Sequence, residues 1–395
     1  MDMFTLCQVD ANVIERCDVA VVGAGIVGLA CALEAAERGL RVVLCERDDR
    51  ASRATVRNFG HGFVTGQDGA AFAAALVARE RWLDLGRSAG FWAAATGTVL
   101  VARHADELAV CEELAADPDR QAQTLTREQT LDRVPIASDG VAGGLWCPLD
   151  VRVDQRAAAA ALAALAERER GVRVRFATTV HAIEDTTLRT SAGSIEAERV
   201  IVCPGADLDT LFPATFADAA VSRVRLQMLT VAAPGAASIA PALVTGLSLL
   251  RYKAFAGCPS IGAVRERLER ERPELLAAGI HLVITQRPDG ALTVGDTHLY
   301  ARTPSPFGEE RLDELVLAEA AGLLGAGHLR VLERWQGIYP HAPGRDFLVT
   351  SPQPGVLAVV VTSGIGMTTA LGLAPSVLDE LLNQNIHTNQ EAHRS

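Results

Sequence analysis

The amino-acid sequence predicts an α/β protein with two parts, a Rossmann-like domain and a discontinuous second α+β domain built on a mixed or antiparallel sheet. Three observations predict this fold class. Residues 18–46 have the pattern of a strand, a glycine-rich turn, a helix and a second strand. Residues 356–382 repeat the order of strand, glycine-rich turn and helix. Residues 281–295 have a hairpin pattern around Pro288, Asp289 and Gly290.

The first unit carries three glycines in the spacing G-x-G-x-x-G, namely Gly23, Gly25 and Gly28, directly after the apolar residues 19–22. In a dinucleotide-binding crossover, these glycines allow a tight turn, a close approach to a pyrophosphate and close packing of helix on strand. The helix N-terminus adds free N–H groups and a positive dipole end. Glu46 ends the second strand, where an acidic side chain accepts hydrogen bonds from an adenosine ribose. Such glycines also occur in ordinary packing turns, but the flanking strands and Glu46 favour a dinucleotide site.

Residues 47–69 are rich in glycine, arginine and asparagine and show no periodicity, which predicts a loop that runs along the cofactor. Arg57 and Asn58 are candidates to contact its pyrophosphate or its ring, and Gly60 permits close backbone approach. His61 has three interpretations. It lines the active site, it carries a covalent link to the cofactor, or it is an ordinary loop histidine.

Apolar runs and helical periodicity predict the other elements. Residues 200–202 form a buried strand that ends at Cys203 and Gly205, residues 242–250 form a strand of the second sheet, and residues 263–278 form one amphipathic helix. The predicted nucleotide-binding domain comprises residues 1–75, 140–215 and 330–395, and the predicted substrate-binding domain comprises residues 76–139 and 216–329.

The composition restricts the classes of function. The chain has 395 residues, of which 49% are hydrophobic, so a compact globular protein with a large core is expected. A net charge of −11 argues against nucleic acid and anionic membrane surfaces as partners. The eight cysteines include no C-x-x-C pair and favour buried free thiols in the cytoplasm. We expect no transmembrane helix, and residues 1–17 lack the apolar core of a signal peptide.

Two rare residue types cluster in the second half of the chain. Lys253 is the single lysine among 37 basic residues, and it follows Tyr252, one of only three tyrosines with Tyr300 and Tyr339. Arginine stays charged, whereas a buried lysine shifts its pKa readily, so this use of lysine indicates either a function or compositional drift.

A second group of candidates follows the predicted strand of residues 291–295. Asp296, His298 and Tyr300 alternate along the chain, and alternation places all three on one face of a strand. Arg251, Lys253 and Arg302 offer cations for an anionic ligand, or they are solvent-exposed surface residues. No metal site is expected.

Several segments together resemble the D-amino-acid-oxidase-like family of flavoenzymes, which includes glycine oxidase and sarcosine oxidase. They cover most of the chain in the family's order: VVGAGIVGLACALEAAERGLRVVLCER, GGLWCPLDVRVDQRAAAAAL, VIVCPGA, LVITQRPDGALTVGD and VTSGIGMTTALGLA. Within that family, four segments are similar to a subgroup of oxidoreductases associated with aminophosphonate breakdown: SRATVRNFG, LLRYKAF, GDTHLYA and ERWQGIYP.

The resemblance implies FAD as the cofactor. Some relatives carry a covalent flavin on a late cysteine, but this chain has no cysteine after Cys258, so non-covalent FAD is expected. By resemblance, the residues that hold the ADP half are Gly23, Gly25, Ile26, Val27, Gly28, Glu46 and Arg47, with Val180 on the adenine side. The residues that hold the middle and the flavin ring are Arg57, Asn58, Phe59, Gly60, Cys203, Gly205, Gly337, Ser363, Gly364, Ile365, Gly366, Met367 and Thr368.

The resemblance also implies oxidation of the C–N bond of a small anionic amine, with an aminophosphonate related to 2-aminoethylphosphonate, as its N-methyl or hydroxy derivative, as the first choice. An imine forms and hydrolyses to an aldehyde plus amine or ammonia, and O2 or another acceptor reoxidises the flavin. The candidate catalytic residues are His61, Tyr252, Lys253, His298, Tyr300, Arg302 and Tyr339. Lys253 binds the anion or, as in some relatives, favours oxygen reduction.

Three alternatives remain open from the sequence. The enzyme acts on glycine, sarcosine or a D-amino acid, or it is an FAD-dependent dehydrogenase of a 2-hydroxy acid. The third alternative is a non-catalytic module that binds flavin or a partner, which the clustering of the tyrosines and Lys253 disfavours. A monomer or homodimer is expected in each case.

Overall fold

The computed structural model describes residues 13–233, 235 and 238–384. Residues 1–12, on which most of the expectation about a signal peptide depends, lie outside this range. Across the described ranges, no helix combines the length and the apolar character needed to cross a membrane. The seven cysteines in these ranges are buried free thiols, as their apolar neighbours in the sequence predict.

The described residues form ten α-helices and twenty strands. The helices are α1 (Ile26–Glu37), α2 (Gly69–Ala89), α3 (Ala105–Ala115), α4 (Arg127–Arg133), α5 (Gln155–Arg170), α6 (Pro213–Asp218), α7 (Ile261–Glu271), α8 (Pro273–Ala277), α9 (Glu310–Leu324) and α10 (Gly366–Asn383). The strands are β1 (Val13–Val22), β2 (Val42–Cys45), β3 (His61–Gly62), β4 (Ala93–Ala94), β5 (Thr98–Ala102), β6 (Gln123–Leu125), β7 (Gly143–Cys147), β8 (Val151–Val153), β9 (Arg173–Arg175), β10 (Val180–Glu184), β11 (Thr187–Thr190), β12 (Gly193–Val202), β13 (Ser222–Val231), β14 (Ala242–Thr245), β15 (Val283–Gln286), β16 (Leu292–Gly295), β17 (Leu299–Ala301), β18 (Val331–His341), β19 (Phe347–Gln353) and β20 (Val356–Val361).

The first sheet has eight strands and holds both predicted strand–turn–helix units. Strand β1 is parallel to β2 on one side and to β12 on the other, and β12 is also parallel to β20. Because parallel strands aim their carboxyl ends at one edge, the glycine turns after β1 and β20 meet there. The predicted α/β fold class is confirmed.

Helices α1 and α10 cover one face of this sheet, and α2 packs across α10. Gly372 makes that crossing close, since a Cβ at this position would overlap the backbone of Ala74 in α2. Trp82 of α2 is fully buried, and its indole N–H donates to the carbonyl of Met367 at 2.6 Å. These contacts fix the first turn of α10 against the sheet.

The second sheet has nine strands. Most of its neighbouring strands are antiparallel, but β14 runs parallel to β5, so the sheet is mixed, as predicted. The hairpin around Pro288, Asp289 and Gly290 is present, with β15 and β16 paired so that Val283 lies opposite Gly295. A small third sheet of β3, β8 and β4 connects the two larger sheets.

The two large sheets divide the chain differently from the predicted segments at three places. Helix α2 packs in the core of the first sheet, although most of it falls in residues 76–139. Strands β7 and β18 belong to the second sheet, although they fall in residues 140–215 and 330–395.

Two predicted elements are shorter than expected. The predicted strand of residues 242–250 ends at Thr245, and residues 246–250 form a 3-10 helix. The predicted helix of residues 263–278 is two helices, because Pro273 has no N–H to continue a helix and α8 starts there. Apolar periodicity did not reveal either break.

Candidate active site

The turn after β1 and the first turn of α1 each have one position that admits only glycine. Gly23 has φ +98°, and a Cβ there would overlap the carbonyl oxygen of Cys203. A Cβ at Gly28 would overlap the carbonyl oxygen of Gly23. Glu46 accepts the N–H of Ala24 at 2.8 Å and so ties the end of β2 to this turn. The N-terminus of α1 is thereby held open at the edge of the sheet.

A deep cavity begins at this turn and extends between the two large sheets. Sixteen of the predicted cofactor residues line it: Gly25, Ile26, Val27, Gly28, Arg57, Asn58, Phe59, Cys203, Gly205, Gly337, Ser363, Gly364, Ile365, Gly366, Met367 and Thr368. The first residues of α10 are among them, so a second helix N-terminus lies at the cavity. The fold therefore brings the two glycine turns and β18 to one space.

Five predicted cofactor residues do not line the cavity. Gly23 and Glu46 shape the turn beside it. Arg47 is paired with Asp207 at 2.7 Å, and Val180 is buried at the start of β10. Gly60, at φ +63°, packs against the backbone of Val153, so its lack of a side chain serves the contact between β3 and β8.

The loop before β3 is held by its own polar side chains. Asn58 donates to the carbonyls of Ala54 and Thr55 at 3.0 and 2.8 Å and accepts the N–H of Gly60 at 2.7 Å. Its amide is therefore occupied in shaping the loop. Arg57 donates to the carbonyl of Ser52 at 2.8 Å while lining the cavity.

Arg251 lies at the far end of the cavity. Its guanidinium donates to the hydroxyl of Tyr339 at 3.1 Å and to the carbonyl of Ser363 at 2.7 Å, while its Nε is buried without a hydrogen-bond partner. No carboxylate is paired with it among the ion pairs of the described residues. Since arginine stays charged when buried, this end of the cavity is cationic.

Three buried titratable side chains stand beside Arg251. Nε2 of His281 lies 3.0 Å from Oδ1 of Asp296 and 3.3 Å from Nε2 of His298. Burial lowers the pKa of His298 to about 3 and that of His281 well below its usual range. Burial raises the pKa of the Asp296 carboxyl to about 8. At neutral pH this cluster is therefore mostly uncharged.

Aromatic side chains complete the inner wall. Tyr252 and Tyr339 are half-buried, and the loss of solvent around them raises the pKa of both phenols. Phe63 packs edge-on against Tyr252, with ring centroids 4.7 Å apart. His61 stacks on Phe63, and its Nε2 is 2.7 Å from the Thr98 hydroxyl. Burial lowers the pKa of His61 to about 3, so this histidine is neutral.

Three predicted catalytic residues are not brought into the cavity. Lys253 is 47% exposed, and its ammonium group pairs with Asp346 at 2.8 Å. Arg302 is exposed. Tyr300 is 54% exposed, because β16 ends at Gly295 and Tyr300 belongs to the separate strand β17. The expected common face of Asp296, His298 and Tyr300 therefore holds only for the first two.

A second cavity adjoins the cluster. Arg251, His281 and His298 line both cavities, and Tyr300 lines the second one with Leu247.

The sequence matches the model of a known protein family over most of its length. The model of the family DAO, described as FAD dependent oxidoreductase, matches residues 18–377. The chain belongs to this family. The cofactor is FAD, and the predicted resemblance to the D-amino-acid-oxidase-like flavoenzymes is confirmed at this level.

Individual proteins similar to this FAD-dependent oxidoreductase differ in what they act on. An opine oxidase subunit from Rhizobium meliloti is 28% identical over 218 residues, which are 50% of this chain and 58% of that relative, less than two thirds of its length. Glycine oxidase of Geobacillus kaustophilus has a TM-score of 0.73 at 21% identity, covering 93% of this chain and 95% of that one. L-alpha-Glycerophosphate Oxidase of Mycoplasma pneumoniae, solved with FAD bound, has a TM-score of 0.70 at 20% identity, covering 93% and 95%. The two structural matches show the shared fold.

The residues of this flavoenzyme suit the cofactor. The two glycines that no side chain can replace bring backbone to the place of a pyrophosphate, and the N-terminus of α1 faces it. At the other end, Gly364 has φ +75°, and a Cβ there would press on the ring of Tyr339. The turn before α10 therefore leaves room for a flat ring beside Tyr339.

Sequence reasoning missed several residues of this flavoenzyme's cavity. Thr55 accepts the N–H of Ile26 at 2.9 Å, and apolar Leu226 and Met228 of β13 line the wall. His281 was also missed. It lies before β15, and Asp296 and His298 lie after β16, so the contact depends on how the chain continues beyond the paired strands and not on their register.

Proposed function

We propose that this FAD-dependent oxidoreductase oxidises the C–N bond of a small anionic amine, and that its substrate is an aminophosphonate related to 2-aminoethylphosphonate, as the N-methyl or hydroxy derivative. The observation that carries the proposal is Arg251, a half-buried guanidinium at the end of the cavity that has no carboxylate partner among the described residues. A cation that is partly removed from water is costly unless an anion binds to it. Opine oxidase and glycine oxidase, by their names, act on amines.

The side chains have distinct roles in this proposal. The two glycine turns would hold FAD without a covalent link, and the bound flavin would supply the acceptor for two electrons from the C–H bond next to the substrate nitrogen. Arg251 binds the phosphonate or carboxylate through the N–H groups of its guanidinium that are not used within the protein, and Tyr252 and Tyr339 offer hydroxyl groups beside it. Leu226 and Met228 keep water away from the reacting carbon.

The substrate assignment is tested by anaerobic mixing of purified protein with small amines while the flavin absorbance is followed. We expect 2-aminoethylphosphonate derivatives to bleach the flavin, with release of amine or ammonia. Bleaching by glycine, sarcosine or D-amino acids alone would replace the aminophosphonate by an amino acid. Bleaching by a 2-hydroxy acid without amine release would remove the amine proposal altogether.

The anion site is tested by a matched pair of arginines. Arg251→Met removes the guanidinium at the end of the cavity and should raise KM for the anionic amine at least tenfold. Arg302→Met removes an exposed guanidinium and should leave KM within twofold. Equal effects of the two substitutions would refute the role of Arg251.

For Lys253 we propose a role in the reaction of the reduced flavin with oxygen, since its ammonium group lies outside the cavity and cannot bind substrate there. Lys253→Met should then slow reoxidation by O2 while anaerobic reduction stays unchanged. An unchanged reoxidation rate would leave Lys253 as a surface ion pair with Asp346.

A further inference from the structure

The cluster of His281, Asp296 and His298 has no part in binding the anion or the cofactor as described above. All three side chains are buried, and their facing atoms lie within 4.8 Å of one another. They come from the segments directly before β15 and directly after β16, so the pairing of these two strands brings them together. A buried polar cluster on a rigid element is costly to build and calls for a chemical explanation.

The hydrogen bonds of the cluster define its tautomers. Nδ1 of His298 donates to the carbonyl of Gly279 at 2.9 Å, so Nε2 of this neutral ring is an acceptor. The contact of 3.3 Å between the two Nε2 atoms then requires the hydrogen on Nε2 of His281. Nδ1 of His281 is therefore an unprotonated acceptor, and it is buried with no hydrogen-bond partner. His281 lines the cavity, and a turn of its ring would present this base nitrogen, which no protein group occupies, to a ligand there.

The same three side chains have the types and the spacing of metal ligands, but the charges disfavour a metal ion. The positive charge of Arg251 acts on all three groups, lowering the pKa of both histidines and opposing the rise in the pKa of Asp296. A divalent cation would stand in the field of this guanidinium. A proton, by contrast, adds a single charge that Asp296 can neutralise.

We propose that His281 and Asp296 form a proton relay that takes the proton from the substrate ammonium group, with His298 holding His281 in the required tautomer. This proposal rests on the proposed oxidation of an amine. Flavin-dependent oxidation of a C–N bond needs the nitrogen lone pair free, and an amine in water is mostly protonated at neutral pH. A residue near the nitrogen must therefore accept the proton.

The protons and electrons of this step are all accounted for by the substrate, His281 and Asp296. One N–H bond of the ammonium breaks, and an N–H bond forms at Nδ1 of His281. A turn of the His281 ring moves the N–H at Nε2 from Nε2 of His298 towards Oδ1 of the ionised Asp296, which lies 3.0 Å away and has no hydrogen-bond partner before the turn. This N–H bond then breaks, and an O–H bond forms at Oδ1. The electron pair stays on the substrate nitrogen, and nothing is oxidised or reduced. The relay thus ends with a neutral ring and a neutral carboxyl.

The proton comes to rest on Asp296 because the carboxyl, and not the buried imidazole, holds a proton at neutral pH. The groups whose charges act on Asp296 or its neighbours in the cluster come from several packed elements: Arg251 and Tyr252 from the segment after β14, Tyr339 and His341 from β18, and His61 from β3. Both tyrosines are neutral in the working range. Asp296 must be ionised to accept the proton, so the relay gains capacity as the pH rises through about 8.

The first test follows the protonation state of the Asp296 carboxyl group and needs no catalytic turnover. Infrared difference spectra recorded during a pH titration should show the carbonyl band of a protonated carboxylic acid disappearing with a midpoint near pH 8. Asp296→Asn should remove this band. Asp150 is the matched control, because it is equally buried, has its pKa raised by burial to about 7, and does not line the cavity. Asp150→Asn should leave the band near pH 8 in place.

The second test is the pH dependence of anaerobic flavin reduction by the amine. The wild-type rate constant should rise with a midpoint near pH 8, and Asp296→Asn should lower it at least tenfold at pH 9 and flatten the rise. His281→Asn should do the same, which provides a second variant if the first fails to fold. FAD content and circular dichroism of each variant check folding, and Asp150→Asn should retain the wild-type profile.

Three results would overturn the relay. An unchanged rise in Asp296→Asn would mean that the profile reports only the pKa of the substrate amine. A carbonyl band that survives Asp296→Asn would assign the titration to another group. A stoichiometric divalent metal in the wild type, whose removal by a chelator abolishes the rise, would make the cluster a metal site. If no amine reduces the flavin while the band still titrates near pH 8, the proposed function fails but the assignment of the titration to Asp296 stands.

Discussion

At the scale of single residues, this enzyme depends on positions where one particular side chain, or none, is tolerated. Gly28 is the clearest case, because its Cα faces the carbonyl oxygen of Gly23 with no room between them. The consequence is that the α1 N-terminus stays close to the sheet edge, where its N–H groups meet the cofactor. Asp150 differs from Gly28, because it has a side chain that its surroundings penalise. Its carboxyl group is buried in a site that disfavours the charged form of that group.

Gly28→Ala should reduce FAD retention strongly, because the added methyl group must push α1 away from the turn. The control is Gly262→Ala in α7, where a Cβ meets no atom within 4 Å and alanine should stabilise the helix by about 0.5–1 kcal/mol. FAD content after gel filtration and the melting temperature measure both effects. Full FAD retention in Gly28→Ala would contradict the assigned role of the turn.

Asp150 should make stability depend on pH. Burial raises its folded pKa to about 7, above the unfolded value near 3.9, so the folded state binds the proton more tightly. Its contribution is fully present below pH 4 and is lost as the pH rises through about 7, by up to about 1.4 kcal/mol per pH unit. In Asp150→Asn the fall in unfolding free energy between pH 5 and pH 8 should be smaller than in the wild type. Parallel curves for both proteins, from urea titrations, would show that Asp150 is not the group responsible.

At the scale of secondary-structure elements, the cofactor site is made by two helices whose first turns are fixed from outside. Helix α1 is fixed by its own glycine turn, and α10 is fixed by α2 through Gly372 and Trp82. The hydrogen bond from Trp82 ends on Met367, which lines the cavity itself. A change in α2 is therefore transmitted to the flavin end of the site.

Trp82→Phe removes this N–H while it keeps most of the buried ring. We expect a loss of about 1 kcal/mol of stability and faster FAD release, since a net hydrogen bond contributes about 0.5–1.5 kcal/mol. Trp92 is 39% exposed and serves as the control, so Trp92→Phe should change FAD release little. Equal FAD release rates in the two variants would refute the coupling.

The elements also show how far the sequence alone leads. The crossover of residues 18–46 and the turn after β20 were predictable because glycine spacing and apolar runs are local signals. The hairpin of β15 and β16 was predictable from its turn residues. Two other features were not predictable from the sequence. The strand predicted over residues 242–250 ends at Thr245, and Tyr300 is exposed, and both depend on how each segment joins a sheet. For the same reason Lys253, chosen for its rarity, was expected in the cavity, whereas the fold places its ammonium group outside.

At the scale of the whole molecule, the distribution of charge affects the rate at which an anionic substrate binds. The chain carries a net charge of −11, while the end of the cavity carries the positive charge of Arg251. Long-range repulsion and short-range attraction therefore act on the same anionic ligand, and salt weakens the first more than the second.

Moderate salt should accordingly speed capture of a doubly anionic amine. We expect kcat/KM to rise by about twofold between roughly 10 mM and 150 mM ionic strength, where the screening length falls from about 30 Å to 8 Å. A zwitterionic amine of zero net charge serves as the control and should show no such rise. A fall in kcat/KM for the anionic amine would mean that local attraction by Arg251 dominates the encounter.

The two cavities share the residues Arg251, His281 and His298. Arg251 is tethered by Tyr339 and Ser363 and His298 by Gly279, whereas Nδ1 of His281 has no hydrogen-bond partner. Side-chain rotations are far faster than domain movements. The proposed proton acceptor is thus also part of the partition between two compartments, so a turn of its ring would act on both of them at once.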